Sequence, residues 1–237
     1  VVAFGKVGHY AQTAEYGFDL ARHFNYHEDI AIPKALEWLA ARQSDRPLCL
    51  FVGSNWPHVP WPADHPDIDP ATLRVPPNQI DNPTTREWRA RYLAAIRTMD
   101  DELGKVYDLA RRKLGDDTFF LHTSDNGAQW PFGKWTLYDD GIRTPMIVSW
   151  PGHVAPGTRT DAMVSWIDIL PTLVDVAGGT PPGAIDGRSF LPVLAGKADR
   201  HRDLLFTTHS GDGPSSVHPR PAARRPAAPP PRPPLLP

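Results

Sequence analysis

Three short apolar runs constrain the fold of this chain more than any other feature. They occupy residues 48–52, 118–122 and 145–150, and a fourth opens the chain at residues 1–4. Apolar runs of this length, bounded by turn residues and without polar alternation, suit strands buried on both faces. Between them lie segments of helical period. Residues 29–43 place Leu36, Leu39 and Ala40 on one side, with Pro33 in the first turn. A longer helix is expected from a cap at Thr84 or Thr85. There Trp88, Tyr92, Ile96, Met99, Leu103, Val106 and Ala110 recur at steps of three and four, and Gly115 is the stop. A short helix is expected over 167–177, ended by Gly178 and Gly179. Strands alternating with helices predict an α/β fold: a layered α/β/α sandwich on a mostly parallel central sheet. Ligands of such sheets bind at the carboxyl ends of the strands. That rule gathers Lys6, the loop 55–58 and the pair Asp125-Asn126 on one edge.

The 237 residues suffice for one domain with a sizeable core. A formal net charge of −2 provides no global field that would draw nucleic acid or an anionic membrane, so neither is expected as a partner. No apolar run reaches the roughly 18 residues of a membrane span. No signal peptide is visible, and the first residue is Val1 rather than Met. The single cysteine, Cys49, sits inside an apolar run and reads as a buried small hydrophobe, not a reactive thiol.

Two stretches depart from the alternating pattern. Residues 54–83 are rich in Pro, Asp, Asn and His, and an irregular segment this long inside a compact domain is usually functional or disordered. Residues 214–237 hold ten Pro and four Arg with no acidic residue, a composition unable to build a core. We expect a domain over 1–213 and a disordered or polyproline-like tail over 214–237. The abrupt change near residue 213 suggests a shifted reading frame in a GC-rich gene, which resequencing there would test.

Four local motifs carry candidate chemistry. Asp125 and Asn126, followed by Gly127 at a strand end, offer two adjacent hard oxygens suited to Ca²⁺ or Mg²⁺. The same tripeptide is also an ordinary turn. Lys134, flanked by Gly133, can bring a point charge close to a tetrahedral anion, or be a solvated surface lysine. Arg143, leading into the run at 145–150, is placed to pin the preceding loop. His58 lies between Pro57 and Pro60, which favour extended backbone around it, and can donate to a substrate oxygen or move a proton. Lys6 and His9, three apart after the first run, can both reach an anion.

The order and spacing of these motifs resemble the sulfatases. The matching residues are Thr123-Ser124-Asp125-Asn126-Gly127, then the run from Gly133 to Pro145, then Trp150-Pro151-Gly152. Support comes from Asp168-Ile169-Leu170-Pro171-Thr172-Leu173 and from Asp186-Gly187-Arg188-Ser189-Phe190, with Pro57-His58 and Gly5-Lys6 where a sulfatase has them. The resemblance runs from about Val2 to Gly213 and leans toward the heparan N-sulfatase (sulfamidase) branch. It implies the alkaline-phosphatase-like fold and hydrolysis of a sulfuric ester or sulfamate. A divalent cation, usually Ca²⁺, holds the sulfate, and a formylglycine hydrate attacks sulfur. Carried over, Asp125 and Asn126 are metal ligands, Lys134 and His58 contact the sulfate and leaving group, and Lys6 and His9 lie against the formylglycine. The implied substrate is a sulfated small molecule or sulfated sugar.

The chain departs from the sulfatase pattern in two places. His9 comes three residues after Lys6, where many sulfatases have two. The formylglycine precursor motif, Cys or Ser followed by x-Pro-x-Arg, is absent, and Cys49 is followed by Leu50-Phe51-Val52-Gly53. The family places that motif and an Asp-Asp metal pair upstream of Gly-Lys, which here would fall before Val1. The chain alone is therefore expected to be inactive. The alternatives are a phosphoester or phosphonate monoester hydrolase of the same superfamily, and a non-catalytic protein whose Pro-rich tail docks a partner.

Overall fold

The computed structural model describes residues 1–8, 16–25 and 28–207. His9 and the tail 214–237 lie outside the described residues. The chain forms β1 (Val2–Gly5), β2 (Leu20–Arg22), α1 (Ala31–Ala41), β3 (Leu50–Gly53), α2 (Pro83–Leu114), β4 (Phe120–Thr123), α3 (Asp139–Ile142), β5 (Met146–Ser149), α4 (Ile169–Val176) and α5 (Leu191–Leu194). Each expected strand is present, and the expected α/β architecture with a mainly parallel sheet is the observed one. β1 is central, with β2 and β3 parallel on either side of it. β4 and β5 form a second ladder and run antiparallel, pairing Phe120 with Ser149 and Thr123 with Met146.

The core sits where the pattern places it. All four residues of β1 are buried, and Val2, Phe4 and Ala35 pack with Leu20, Trp38, Leu48, Leu50 and Val52. Helix α1 lies across β1 and β3 and buries Ala31, Ile32, Ala35 and Leu39. Ala40, expected on that face, is exposed instead. The buried row begins at the first turn because α1 starts directly over the strand ends.

Helix α2 starts earlier than the threonines suggest. Its cap is Asn82, whose side chain accepts from the Thr85 N–H at 2.8 Å, with Pro83 in the first turn. It ends at Gly115, at φ +84°, with Arg111, Arg112 and Lys113 in the last turn facing the negative end of the helix dipole. Its buried row is Ala90, Ala95, Glu102, Val106 and Ala110. Trp88, from the expected apolar stripe, is exposed, and a glutamate takes a core position. Small alanines let α2 approach its neighbours closely, whereas the larger residues of the stripe sit at the margin of the contact.

The last part of the chain is held by one buried carboxylate. Asp168 is fully buried and accepts from the backbone N–H of Ser165 (3.0 Å) and of Arg188 (2.9 Å) and from Arg202 Nε (2.8 Å). His201 Nε2 stands 3.2 Å away. The expected helix over 167–177 is split here into a 3-10 turn, Trp166–Asp168, and α4.

Candidate functional site

Strand ends meet where the sheet makes room for them. β1 and β3 end together at Gly5 and Gly53, and a Cβ on Gly5 would lie 2.2 Å from the Gly53 carbonyl oxygen and 2.6 Å from Ala31 Cβ. Only glycine allows that approach. It sets Lys6 beside the segment that follows β3, with the Lys6 N–H donating to Gly53 O at 3.1 Å.

The segment carrying His58 turns rather than running extended. The His58 N–H donates to Asn55 O at 2.9 Å, and the Trp56-Pro57 and Val59-Pro60 peptide bonds are cis. The imidazole Nδ1 lies 2.6 Å from the Val59 carbonyl, which can only accept, so Nδ1 carries the hydrogen and Nε2 is the basic atom of the neutral ring. Burial lowers the pKa of His58, and Lys6 and Lys134 lower it further, against the Val59 carbonyl and Asp125, which raise it. Lys6 is lowered by its own burial and by Lys134, and raised by Asp125. Lys6 and His58 thus lie within the electrostatic reach of Asp125 and Lys134.

Asp125 and Asn126 follow β4. The Asn126 N–H donates to Asp125 Oδ1 at 2.9 Å, which turns the backbone between them. Asn126 Oδ1 is buried and has no hydrogen-bond partner. An orphaned carbonyl oxygen beside a carboxylate suits a hard cation, which would satisfy it without a proton. Among the described residues, no group of three or more His, Cys, Asp or Glu is gathered to hold a metal. Asp125 and Asn126 thus offer two oxygens of a site, not a complete one.

Glycines fold the Lys134 loop back onto the segment that follows that pair. The Gly127 N–H donates to Gly141 O at 2.9 Å, and a Cβ on Gly127 would lie 1.7 Å from Asp140 O. A Cβ on Gly133 would lie 2.2 Å from Ala128 O, and the Lys134 N–H donates to that same oxygen at 2.9 Å. Phe132 and Trp135 flank Gly133-Lys134 at φ +65° and +69°, a left-handed conformation that costs non-glycine residues energy and that the surrounding hydrogen bonds impose. Arg143, expected to pin this loop, has an exposed side chain 3.9 Å from Asp139. Asn78 does the pinning instead, donating to Asp140 Oδ2 at 2.6 Å.

Aromatic packing joins the two loops. Trp61 packs in tilted contact with Trp130 and with Tyr92 of α2, each at 5.0 Å between centroids, and its indole donates to Pro57 O at 2.8 Å. Behind Asp125, the Trp166 indole donates to Ser124 O at 2.9 Å. Sequence reasoning missed both Trp130 and Trp166. The only available signal was their position beside motif residues. Cys49 is no nucleophile here: burial raises its pKa, against the chain terminus, which lowers it.

The model of the sulfatase family matches residues 5–179 of the chain. The ulvan-active sulfatase of Formosa agariphila is 32% identical over 160 residues, covering 66% of this chain and 31% of that protein. Human N-acetylgalactosamine-6-sulfatase is 32% identical over 181 residues, covering 70% and 32%. The chain spans about a third of the length of these curated relatives. Among solved structures, a phosphonate monoester hydrolase from Silicibacter pomeroyi superposes with a TM-score of 0.60 at 25% identity, over 74% of this chain and 43% of that one. The architecture is alkaline-phosphatase-like.

Proposed function

The chain belongs to the sulfatase family, and from that premise we propose that it carries the anion-binding half of a hydrolase that cleaves sulfuric esters of sugars. The observation that carries this reading is the orphaned Asn126 Oδ1, next to Asp125, a carboxylate within the electrostatic reach of Lys6 and His58. Asp125 and Asn126 would hold Ca²⁺, or Mg²⁺, and such an ion supplies charge neutralisation for the sulfate when bound. Lys6 and Lys134 bring positive charge to the transferring sulfuryl group, in a partly buried site where it is worth more than in water. His58 is poised by the same charges. Burial, aided by the two ammoniums, favours its neutral imidazole, and a bound sulfate offsets the ammoniums, so the substrate itself raises the basicity of Nε2. A proton gained there is available to the departing oxygen.

No residue of this chain has the sequence context of a formylglycine precursor. The residues present supply binding and proton transfer without a nucleophile, and no sulfate-ester turnover is expected from the chain alone. Two finer readings belong with this one. The motif order suggests the sulfamidase branch, which would put a nitrogen at the leaving position. The Silicibacter pomeroyi superposition supports a second reading, phosphonate monoester hydrolysis on the same scaffold.

Calorimetry tests the proposal. Ca²⁺ followed by sulfate is titrated into the chain, with Asn126→Ala and Asp125→Ala abolishing the cation heat and Lys134→Ala weakening the sulfate. Cation binding indifferent to both substitutions would overturn the reading. Phenylphosphonate bound in preference to sulfate would favour the second reading. Aryl sulfate turnover lost in Asp125→Ala would overturn the expected inactivity.

A further inference from the structure

Glu102 occupies a core position of α2 at 7% exposure. Its Oε2 accepts from the Ser54 hydroxyl at 2.5 Å, one residue past β3. The Ser54 oxygen in turn accepts from the Trp56 N–H at 3.0 Å. The Trp56 indole donates to Asp29 Oδ2 at 2.7 Å, and Asp29 stands near enough to Glu102 to raise its pKa. Asn55 ties the same segment to the Glu28 carbonyl at 2.9 Å. Every one of these bonds falls on the stem of the loop that holds His58, whose N–H is bound by Asn55 O. The metal and anion residues contribute none of them.

Two carboxyls held close together favour keeping one proton between them. We propose that Glu102 is a positioning residue for His58: as a neutral acid it donates to Asp29 and accepts from Ser54, and so locks the Ser54–Trp56 stem. This role rests on the assignment of His58 to the reaction, but the lock itself is a property of the loop. Loss of the proton sets two carboxylates against each other and frees the Asp29–Trp56 arm. Burial raises the Glu102 pKa to about 7; Ser54 lowers it, Asp29 raises it, and Lys105 on the same helix lowers it. The lock is therefore closed below about pH 7 and opens above it, within the range where an ordinary glutamate is long since ionised.

Nuclear magnetic resonance of the ¹⁵N-labelled chain tests the lock without relying on turnover. The Trp56 indole resonance, assigned with Trp56→Phe, is followed from pH 5 to pH 9. The expected result is one transition with its midpoint near 7. Glu102→Gln keeps a donor and an acceptor, so its Trp56 resonance stays at the low-pH position throughout. Asp29→Asn likewise removes the transition. A wild-type resonance that does not move, or a Glu102→Gln chain that titrates as wild type does, overturns the proposal. Either outcome leaves the sulfate and Ca²⁺ titrations untouched, so the two readings fail separately.

Discussion

Replacing Asp168 by Asn removes one charge from the most enclosed ionic cluster of the molecule. The carboxylate is fully buried, and the side chain of Arg202 that faces it is 14% exposed. His201, also buried, stands beside it with Nε2 3.2 Å from the carboxylate. Burial alone would raise the Asp168 pKa, but Arg202 and the N–H groups of Arg188 and Ser165 outweigh it and hold it at about 2, against 3.8 for the free group. The folded pKa is depressed, so the stabilisation is present above the unfolded value and lost as pH falls from about 4 to about 2. The difference is worth roughly 2 kcal/mol at 1.36 kcal/mol per unit. At neutral pH the substitution costs more, because Arg202 is left buried without its counter-charge. Breaking such a pair costs about 3–5 kcal/mol, a large share of a total of about 5–15 kcal/mol. Urea unfolding followed by tryptophan fluorescence at pH 7 measures the loss, and a pH series measures the acid limb. We expect Asp168→Asn to lose about 3–5 kcal/mol and to lack the acid limb between pH 4 and 2. Adding Arg202→Met removes the stranded charge and recovers part of the loss. A loss under about 1 kcal/mol at pH 7, or an unchanged acid limb, would refute the reasoning.

Three further outcomes are expected. Gly127→Ala would put a methyl 1.7 Å from the Asp140 carbonyl oxygen. It should cost at least about 1–3 kcal/mol and abolish hydrogen-exchange protection of the residue-127 amide, which now donates to Gly141. The His58 ring should titrate below its ordinary 6.5, since burial and two lysines lower it, and Lys134→Gln should move the midpoint up in a proton NMR titration; an unmoved midpoint would separate Lys134 from the site. Thr172, fully buried, donates to Asp168 O at 2.7 Å and accepts from the Phe190 N–H at 3.0 Å. Thr172→Val should strand that N–H and cost about 1–3 kcal/mol in the same urea assay.

Much of the site was legible because its parts are local. Asp125 and Asn126 offer oxygens of the kind a hard cation takes, by residue type, and their place at the end of an apolar run puts them at the edge of the sheet. The motif order from Thr123 to Gly152 carried the family with no structure at all. What stayed illegible depends on partners distant in the chain. Glu102 looks like a solvated helix residue until Ser54, 48 positions earlier, is seen to donate to it. Arg143 looked placed to pin its loop, yet Asn78, 62 positions before Asp140, does so.

The amino-acid sequence by itself determined the strands, the long helix with its glycine stop and the identity of the groups able to meet a cation and a sulfate. Those depend on side-chain chemistry and on periods of two to four residues, which neighbours along the chain settle. The tertiary structure decided that β4 and β5 pair antiparallel, that Asn126 Oδ1 is left without a hydrogen-bond partner, and that Glu102 is buried and bonded to Ser54. Pairing direction, desolvation and charge coupling are set by which distant elements pack together. The same residue type is a surface group or a positioned one according to what covers it.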